Sequence, residues 1–570
     1  MAAALVVVAS LACGGDEEGG GTTGGTGGVG GTGGTGGTGG TGGVGASDVT
    51  CGECEAEGAG RCWFVAQDGS DDGDGSFEQP LRSIHTAVSS AGPGDFIYLR
   101  AGVWGREAER TATSCGDGRN RFTVVPLGDV SVYGQDEYGD ECVDKWPSFE
   151  VASGTAEATI TFAACPGEDV VLDGEPDKFL DPSEEIDDSH EGWPDSSPRA
   201  GPVRVVSVWG DTAYWTIRGF EIRGGIVNIT GWGHGQDGPE LEANPHFIVV
   251  ADNEIHDVMT WGGGNPGMVR IDRGDWYGPY EIYVLGNHIH DMRDNDDADW
   301  SVTTDAQHYG AVTTLSAEGY LGVDHGGTGR VVIEDNVIHD IPHAFFFKNP
   351  AAGPLEIRRN RIWNVQAVGI ASSSNLTFEH NLVRTDRGFT RVGSDTAGAE
   401  AGLNELAGQN AVLRYNTFVD LHALMSCRSG TGHTIEHNVI YGLWGETTGA
   451  GWDTPAVIAK SENHHDLADP AESLLQQITM DDNCFVGPSA DFQHSSRYLP
   501  PAVTGTDWLV EHYDLAGAQA TFGFDEASTV VTTTDPDDLF VDYAGEDFTI
   551  LGGSPCAGEG ADVGQLPALP

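Results

Sequence analysis

The sequence repeats one phrase, seen most clearly in VVADNEIHD (249–257), YVLGNHIHD (283–291) and VIEDNVIHD (332–340). Each copy has an alternating apolar strand, then an Asn, then a second short apolar strand. Weaker copies keep the same Asn, which recurs at Asn253, Asn287, Asn336, Asn360, Asn381, Asn416, Asn438 and Asn483. A phrase that returns this often predicts a repeat architecture.

The spacing of these Asn residues indicates stacked short strands. The shortest separations are 24, 21 and 22 residues, and longer ones reach 49 residues. The longer separations indicate either repeats that carry insertions or copies that have been skipped. A period this short, in strands that alternate apolar and polar residues, is typical of a β-solenoid, and the 3.6-residue period of helical repeats is absent.

The Asn residues fall on the apolar side of their strands. Alternation puts Ile333, Asn336 and Ile338 on one side of the chain. An amide among aliphatic side chains is costly unless it is hydrogen-bonded. Asn side chains stacked at a bend, each bonding its own turn and the rung above, meet that demand. We therefore predict an all-β parallel β-helix, a solenoid, over residues 64–565, with loop insertions near 175–200, 293–330, 452–473 and 488–530.

The two ends of this region resemble those of a known superfamily. The opening segment FVAQDGSDDGDGSFEQPLRSIHTAVSSAGPGDFIYLRAGVW (64–104) and the closing segment DPDDLFVDYAGEDFTILGGSPCAGEGADVG (535–564) flank the repeats. Together they resemble the right-handed parallel β-helix superfamily, which includes pectate lyases and chondroitinase-B-like enzymes. The resemblance implies a right-handed coil with a short N-terminal capping helix. It does not fix the activity, because this fold hosts lyases, hydrolases, epimerases and adhesins.

The overall composition excludes two classes of protein. The chain has 570 residues with 88 Asp plus Glu against 28 Lys plus Arg, a net charge of −60, which excludes a nucleic-acid binder. Hydrophobic residues make up 39%, with 14 Trp, 14 Tyr and 21 Phe, so the chain as a whole is not disordered. We expect a monomer.

The first 48 residues are expected to export and tether the protein. Residues 1–12 form an apolar signal peptide that ends at Cys13, which resembles the lipidated Cys of bacterial lipoproteins. Cleavage by an ordinary signal peptidase is the alternative, because two features depart from the lipoprotein pattern: no Lys or Arg precedes the apolar run, and Ser10 stands where such signals usually carry Leu. Residues 13–48 are a disordered Gly/Thr-rich linker. We expect an exported protein, either an outer-membrane or cell-surface lipoprotein or an extracellular one, that contacts the membrane only through the lipid on Cys13.

Cysteine usage agrees with export. Residues 49–63 form a Cys-rich segment, in which Cys51 and Cys54 have the C-x-x-C spacing of zinc ligands. No second such pair follows, so we favour disulfides in an oxidising compartment over a zinc site.

The lyases of this superfamily suggest where catalysis would occur. They remove the proton next to a sugar carboxylate, using a Lys base and an Arg on nearby rungs. The resemblance therefore implies Lys348 as the base and Arg391 as the carboxylate partner. Arg428 would lie on the same outward-facing line of side chains, at a further rung of the coil. Lys348 lies 12 residues after Asn336, and Arg428 lies 12 residues after Asn416. Arg391 lies 10 residues after Asn381. The rung directly after Lys348 offers Ser residues instead of Arg, and the alternative is a solvated Lys at a strand end.

The charge is unevenly distributed around Lys348. Residues 348–428 contain nine basic and seven acidic residues, whereas residues 252–347 contain 17 acidic and four basic ones. Electrostatic repulsion of a polyanionic sugar should therefore be weak only along residues 348–428.

The acidic segment before Lys348 suggests metal binding. RDNDDAD (293–299) offers hard oxygen ligands suited to Ca²⁺ at Asp294, Asp296, Asp297 and Asp299, with a solvated charge run as the alternative. His256, His290 and His339 recur in the I-H-D copies, so they are expected to align either as a transition-metal site or as markers of one turn.

The sequence thus predicts an exported protein that acts on polysaccharide. Our leading interpretation is a Ca²⁺-dependent lyase that cleaves uronate-containing glycans by β-elimination. The alternatives are a β-helix glycoside hydrolase with paired carboxylates and a non-catalytic carbohydrate-binding or adhesion protein.

Overall fold

The repeated phrases stack so that each contributes one strand to each of two long parallel sheets. The computed structural model describes residues 50–56, 60–105, 124–127, 151–174, 203–230, 244–260, 267–272, 279–294, 310–315, 329–348, 354–368, 375–385, 401–403, 410–420, 423–427, 432–442, 456–462, 478–487, 492–496, 509–522, 527–533 and 535–568. Within them the chain forms a right-handed parallel β-helix, as predicted.

Sheet A is formed by the first strand of each phrase. Its side chains alternate, so that Val284, Ile333, Ile357 and Phe378 form one buried column across neighbouring strands. The sheet has 12 strands, which are Cys62–Val65, Phe96–Leu99, Ile160–Ala164, Ala213–Arg218, His246–Ala251, Tyr280–Leu285, Val331–Glu334, Leu355–Arg358, Leu376–Glu379, Val412–Arg414, His433–Glu436 and Ile478–Asp481.

The other large sheet has 17 strands in two sets of paired strands, which join at the long strand Val337–Lys348. We call the first set sheet B. Besides Val337–Lys348, it contains Gly102–Gly105, Val170–Asp173, Glu221–Arg223, Glu254–His256, His288–His290, Arg361–Ala367, Leu382–Thr385, Thr417–Val419, Val439–Tyr441, Cys484–Val486 and Thr529–Val531. We call the second set sheet C, which pairs with the end of the long strand. It contains Val125–Leu127, Val203–Trp209, Gly225–Thr230, Gly267–Asp272 and Gly310–Leu315.

Shorter pairings complete the described strands. Val258–Thr260 pairs in parallel with Met292–Asp294, and Phe540–Asp542 pairs antiparallel with Asp547–Ile550. A five-stranded sheet contains Ala401–Leu403, Ala423–Cys427, Ala456–Glu462, Phe492–Ser496 and Leu509–Tyr513. Three segments predicted as loop insertions, near 293–330, 452–473 and 488–530, therefore contain strands, because these segments supply a further strand to their rungs. The fourth, near 175–200, lies outside the described residues.

The predicted Asn ladder is confirmed at all eight positions. Each Asn is at most 2% exposed, and from Asn287 to Asn483 the side-chain oxygen accepts bonds from the backbone and the amide of the preceding Asn. The ladder runs from the backbone NH of Phe220, which bonds Asn253, to Ser528, whose hydroxyl accepts from the Asn483 NH. Consecutive Asn residues bond directly even across 49 positions, so the long separations carry insertions and do not reflect skipped copies.

The bend before each ladder Asn is left-handed. The preceding residue has a φ of 53° to 63° in every copy, namely at Asp252, Gly286, Asp335, Arg359, His380, Tyr415, His437 and Asp482. A side chain such as Arg or Tyr in this conformation costs about 1–2 kcal/mol. The ladder hydrogen bonds offset that cost, so the Asn stabilises its bend as well as its neighbours.

A short helix caps the N-terminal end of the coil, as the resemblance implied. It spans Ile84–Ser90, and the Ser83 side chain accepts from the Thr86 NH at its start. Ile84, Ala87 and Val88 are buried in the main core. The other described helices are Leu515–Phe522 and the 3₁₀ helices Pro536–Asp538 and Val563–Gln565. None of the described helices is long and apolar enough to cross a membrane.

His85 on the capping helix should make the fold sensitive to acid. Burial lowers its pKa to about 4 from 6.5, with Asp71 opposing the shift. As pH falls below 6.5, the unfolded chain therefore takes up this proton before the folded one does. The stability present above pH 6.5 is then lost progressively toward pH 4. In urea unfolding, we expect His85→Gln to lose less stability than the parent over this range. Equal losses would show that His85 is not responsible.

Three disulfides lie among the described residues. Cys51 pairs with Cys165, Cys54 with Cys62, and Cys484 with Cys556. The zinc alternative for Cys51 and Cys54 is therefore wrong, because both thiols are consumed in disulfides, and the Cys51–Cys165 bond ties the Cys-rich segment to the coil. Such pairing fits an extracellular protein.

The closing segment packs on the outer face of sheet B. Phe540, Phe548 and Cys556 are buried against a second apolar cluster. Gly560 comes so close that a Cβ there would lie 2.6 Å from the Thr417 hydroxyl oxygen. The sheet residues in this cluster are Leu382, Val419, Val439, Tyr441, Cys484 and Val486. Among the described residues, the closing segment therefore covers the last rungs of sheet B and leaves its middle rungs uncovered.

Candidate functional site

The outer face of sheet B carries a column of aromatic rings over its middle rungs. The column contains the side chains three places after the ladder Asn, because the residues two places after it, such as Ile289 and Ile338, are buried inside. His256 stacks on His290 with ring centroids 5.1 Å apart, and His290 stacks on His339 at 4.9 Å. Trp363 extends the column, 4.3 Å from His339. The predicted alignment of the three His residues is confirmed.

An Asp follows each His of the column and bonds its ring. The Nδ1 atoms of His256, His290 and His339 lie 2.9, 2.8 and 2.6 Å from carboxylate oxygens of the next residues, Asp257, Asp291 and Asp340. These Asp residues have φ values of 53° to 56°, and this left-handed bend accompanies the contact of each carboxylate with the preceding ring. Each Nδ1 therefore carries a proton, and in a neutral ring the Nε2 atom is left with its lone pair.

A fourth histidine, His288, lies beside the column. Its Nε2 is 2.7 Å from Nε2 of His339, and its ring centroid is 4.1 Å from that of His290. Burial, together with the neighbouring His290 and His339, lowers the pKa of His288 to about 4. Burial also acts to lower the pKa of His290, but Asp291 and Glu254 outweigh it, and the pKa is raised. The two rings therefore favour different protonation states although they are in contact.

Sheet C carries a second polar feature, which we call the polar strip. It consists of Ser207, Asn228, Thr230 and Arg270, on three neighbouring strands. The alternate positions of the same strands are aliphatic and buried, at Val206, Val208, Val227, Ile229, Val269 and Ile271. The strip therefore lies on the side of sheet C opposite the core.

The polar strip holds buried oxygen atoms that lack hydrogen-bond partners within the described part of the chain. Asn228 is fully buried, and its amide donates to the Thr230 hydroxyl, but its side-chain oxygen has no partner among the described residues. The same holds for the hydroxyl oxygen of Ser207 on the adjoining strand. Each such group costs about 1–3 kcal/mol. Buried unsatisfied groups of this kind mark strain, a functional role, or a place where water or an ion supplies the missing contact.

Lys348 is placed by its backbone at the end of the long strand Val337–Lys348, with the strand Gly310–Leu315 between it and this strip. It pairs with Leu315, which pairs with Asp272, and Asp272 pairs with Thr230 of the strip. Phe345 and Phe347, which alternate with it, are buried. The predicted catalytic residue thus shares one register column with the polar strip.

The remaining predicted site residues lie largely outside the described residues. Arg391 and Arg428 are outside them, as are the Ca²⁺ ligands Asp296, Asp297 and Asp299. Asp294 is placed by its backbone alone, as the last residue of Met292–Asp294, where it pairs with Thr260. The catalytic and calcium assignments therefore remain predictions.

Sequence reasoning missed His288, Trp363 and the polar strip. His288 could have been found, because it precedes His290 by two positions and strand alternation puts both on one face. Trp363 lies three places after Asn360, the offset that His339 has from Asn336. The polar strip gave no such signal, since sheet C precedes most copies of the Asn phrase.

Comparisons with known proteins give partial matches. The sequence matches no protein-family model. A segment of 112 residues is 30% identical to pectate lyase PEL9 of Emericella nidulans, covering 20% of this chain and only 18% of that protein. Among solved structures, a rhamnogalacturonan lyase aligns with 13% identity and a TM-score of 0.41, covering 74% of this chain and 87% of its own. Pectate lyase Pel9A aligns with 12% identity and a TM-score of 0.28, covering 75% and 69%.

Proposed function

We propose that this right-handed parallel β-helix is an exported enzyme that cleaves uronate-containing polysaccharide by β-elimination. The observation that carries the proposal is the polar strip of sheet C, in register with Lys348. A strip with unsatisfied buried oxygens lowers stability, and we infer that polar groups of a bound ligand complete its hydrogen bonds. Hydroxyl-rich sugars offer donors and acceptors at the spacing of successive rungs, about 4.8 Å. The segment shared with a pectate lyase supports the same substrate class.

Lys348 would act as the base in this reaction. β-Elimination removes the proton next to the sugar carboxylate, and the electron pair then expels the glycosidic oxygen to leave an unsaturated sugar. A Lys is a base only where nearby cations or burial lower its pKa. Arg391 and Arg428 would supply that cationic environment and would pair with the substrate carboxylate.

Calcium would bind at the acidic segment before Lys348. Asp294, Asp296, Asp297 and Asp299 provide only oxygen ligands, which is the donor set that Ca²⁺ prefers. When bound, the ion would neutralise the charge of the sugar carboxylate and so lower the pKa of the neighbouring C–H group. Asp294 is the last residue of the short strand Met292–Asp294, and the other three Asp residues follow it within five positions of the sequence.

Export would follow from the leader and the linker. Three disulfides fit an extracellular location. A lipid on Cys13 and the Gly/Thr-rich linker over residues 13–48 would display the coil at the cell surface.

The proposal is tested by incubating the protein with pectate, alginate and chondroitin, with and without Ca²⁺. We expect ultraviolet absorbance from unsaturated product on at least one polymer. A chelator should abolish that absorbance and added Ca²⁺ should restore it. No absorbance on any uronate polymer would rule out the lyase. Chain shortening without absorbance would indicate a hydrolase instead.

A further inference from the structure

We propose that His288, His290 and His339 form a binding site for a transition-metal ion of the zinc class on the outer face of sheet B. Each side chain offers one nitrogen, and these three nitrogens lie within 4.8 Å of one another. Imidazole nitrogens suit Zn²⁺, Co²⁺, Ni²⁺ and Cu²⁺, whereas Ca²⁺ prefers oxygen. This site offers nitrogen ligands, unlike the acidic segment proposed for Ca²⁺, and it does not depend on the lyase activity.

The backbone brings the three rings together without strain on their strands. His290 and His339 are paired in register on adjacent strands of sheet B, and His288 lies two residues before His290 on the same face. Nε2 of His288 and Nε2 of His339 are 2.7 Å apart. Two nitrogens on one zinc ion, at about 2.0–2.1 Å each, lie roughly 3.3 Å apart in a tetrahedral site. These two Nε2 atoms therefore need to move apart by roughly 0.6 Å to hold one ion.

The Asp residues next to the histidines prepare these nitrogens as ligands. Asp291 and Asp340 hold the Nδ1 protons of His290 and His339. The Nε2 lone pairs are then able to bind a cation. Metal-binding histidines characteristically donate their other ring NH to a carboxylate, which fixes the tautomer and strengthens the ligand.

Glu254 lies beside the three rings and reveals a conflict that an ion would remove. Its carboxylate oxygen is 3.4 Å from Nε2 of His290 and 3.7 Å from Nδ1 of His288. If His339 donates through Nδ1, a neutral His288 must donate through Nε2 to His339. Its Nδ1 lone pair then faces the Glu254 carboxylate, so two acceptors oppose each other. With a metal ion on Nε2 of His288 and of His339, the His288 proton lies on Nδ1 and is directed at the Glu254 carboxylate, so both contacts become attractive.

Cobalt titration of the whole, untagged, chelator-treated protein tests the site. We expect saturable binding of one Co²⁺ per chain, with the visible absorbance of a low-coordinate cobalt site. His288→Ala and His339→Ala should abolish the saturable phase. Asp340→Asn should weaken binding by roughly 10–100-fold, because the ring loses its orienting partner.

His256→Ala is the matched control. His256 stacks on the same column and has the same Asp contact, but it lies outside the three-nitrogen group. It should bind Co²⁺ like the parent protein. The site is refuted if the parent shows no saturable binding, if His288→Ala and His339→Ala bind as the parent does, or if His256→Ala also abolishes binding. Should an Ala variant fail to fold in circular dichroism, His288→Gln and His339→Gln replace it, with the same outcomes decisive.

Discussion

Asn360→Asp should lower the free energy of unfolding by about 3–5 kcal/mol, the cost of leaving a buried charge without a partner. The change keeps the size of the side chain, so no cavity contributes. It replaces a fully buried NH₂ group by a charged oxygen. The effect is measured as the shift in urea or thermal unfolding at neutral pH.

The physical reason lies in the three bonds that the Asn360 amide donates. They run to the carbonyls of Ile333 and Arg358, at 3.0 and 3.1 Å, and to the side-chain oxygen of Asn381, at 2.9 Å. In the Asn360→Asp variant a carboxylate oxygen would face three acceptors, and all three would lose their donor. The ladder is continuous, so the damage should extend to the bonds of Asn336 above and Asn381 below.

Asn375→Asp is the matched control for this change. Asn375 has the same left-handed conformation, with a φ of 57°, but it is exposed. The same exchange of amide for carboxylate should therefore alter stability by less than about 0.5 kcal/mol. Equal effects at the two positions would mean that charge, and not the buried ladder, determines the loss.

Lys348→Ala should reduce kcat on the cleaved uronate polymer by about 10²–10⁴-fold, the range for removing a general base. The substrate would still meet the polar strip, so KM should change less than kcat. Lys348→Arg should be nearly as inactive, because a guanidinium stays protonated and cannot accept the proton. The measurement is the initial rate of absorbance at saturating substrate.

Lys178→Ala is the control for this prediction. It removes one of the few Lys residues from a segment, near 175–200, that was predicted as an insertion. It should keep the parent rate. If Lys348→Ala also keeps the parent rate, the base is another residue, and the assignment made from the lyase resemblance is wrong.

The fold was predictable because one residue type carries a physical demand. An Asn among Ile residues must be hydrogen-bonded, and only stacked rungs provide the bonds at every copy. The earlier coils were not predictable in this way, because Phe220 occupies the ladder position there and packs against Phe162 at 4.9 Å. Apolar contacts leave no spacing rule in the sequence.

Residues of the candidate site were predictable from the sequence only where they belong to the repeated Asn phrase. His256, His290 and His339 align because each has a fixed offset from its Asn. The relation of Lys348 to Arg391 and Arg428 depends on insertions of unequal length between rungs. Such insertions change which residues meet without changing the ladder, so sequence spacing could not locate that part of the site.

The most direct test of cleavage by elimination is the mass of the products from one defined uronate oligosaccharide. Elimination adds no water, so the masses of the two products should sum to the mass of the substrate, with one product unsaturated. Products whose combined mass exceeds that of the substrate by one water would show hydrolysis and would contradict the proposed chemistry.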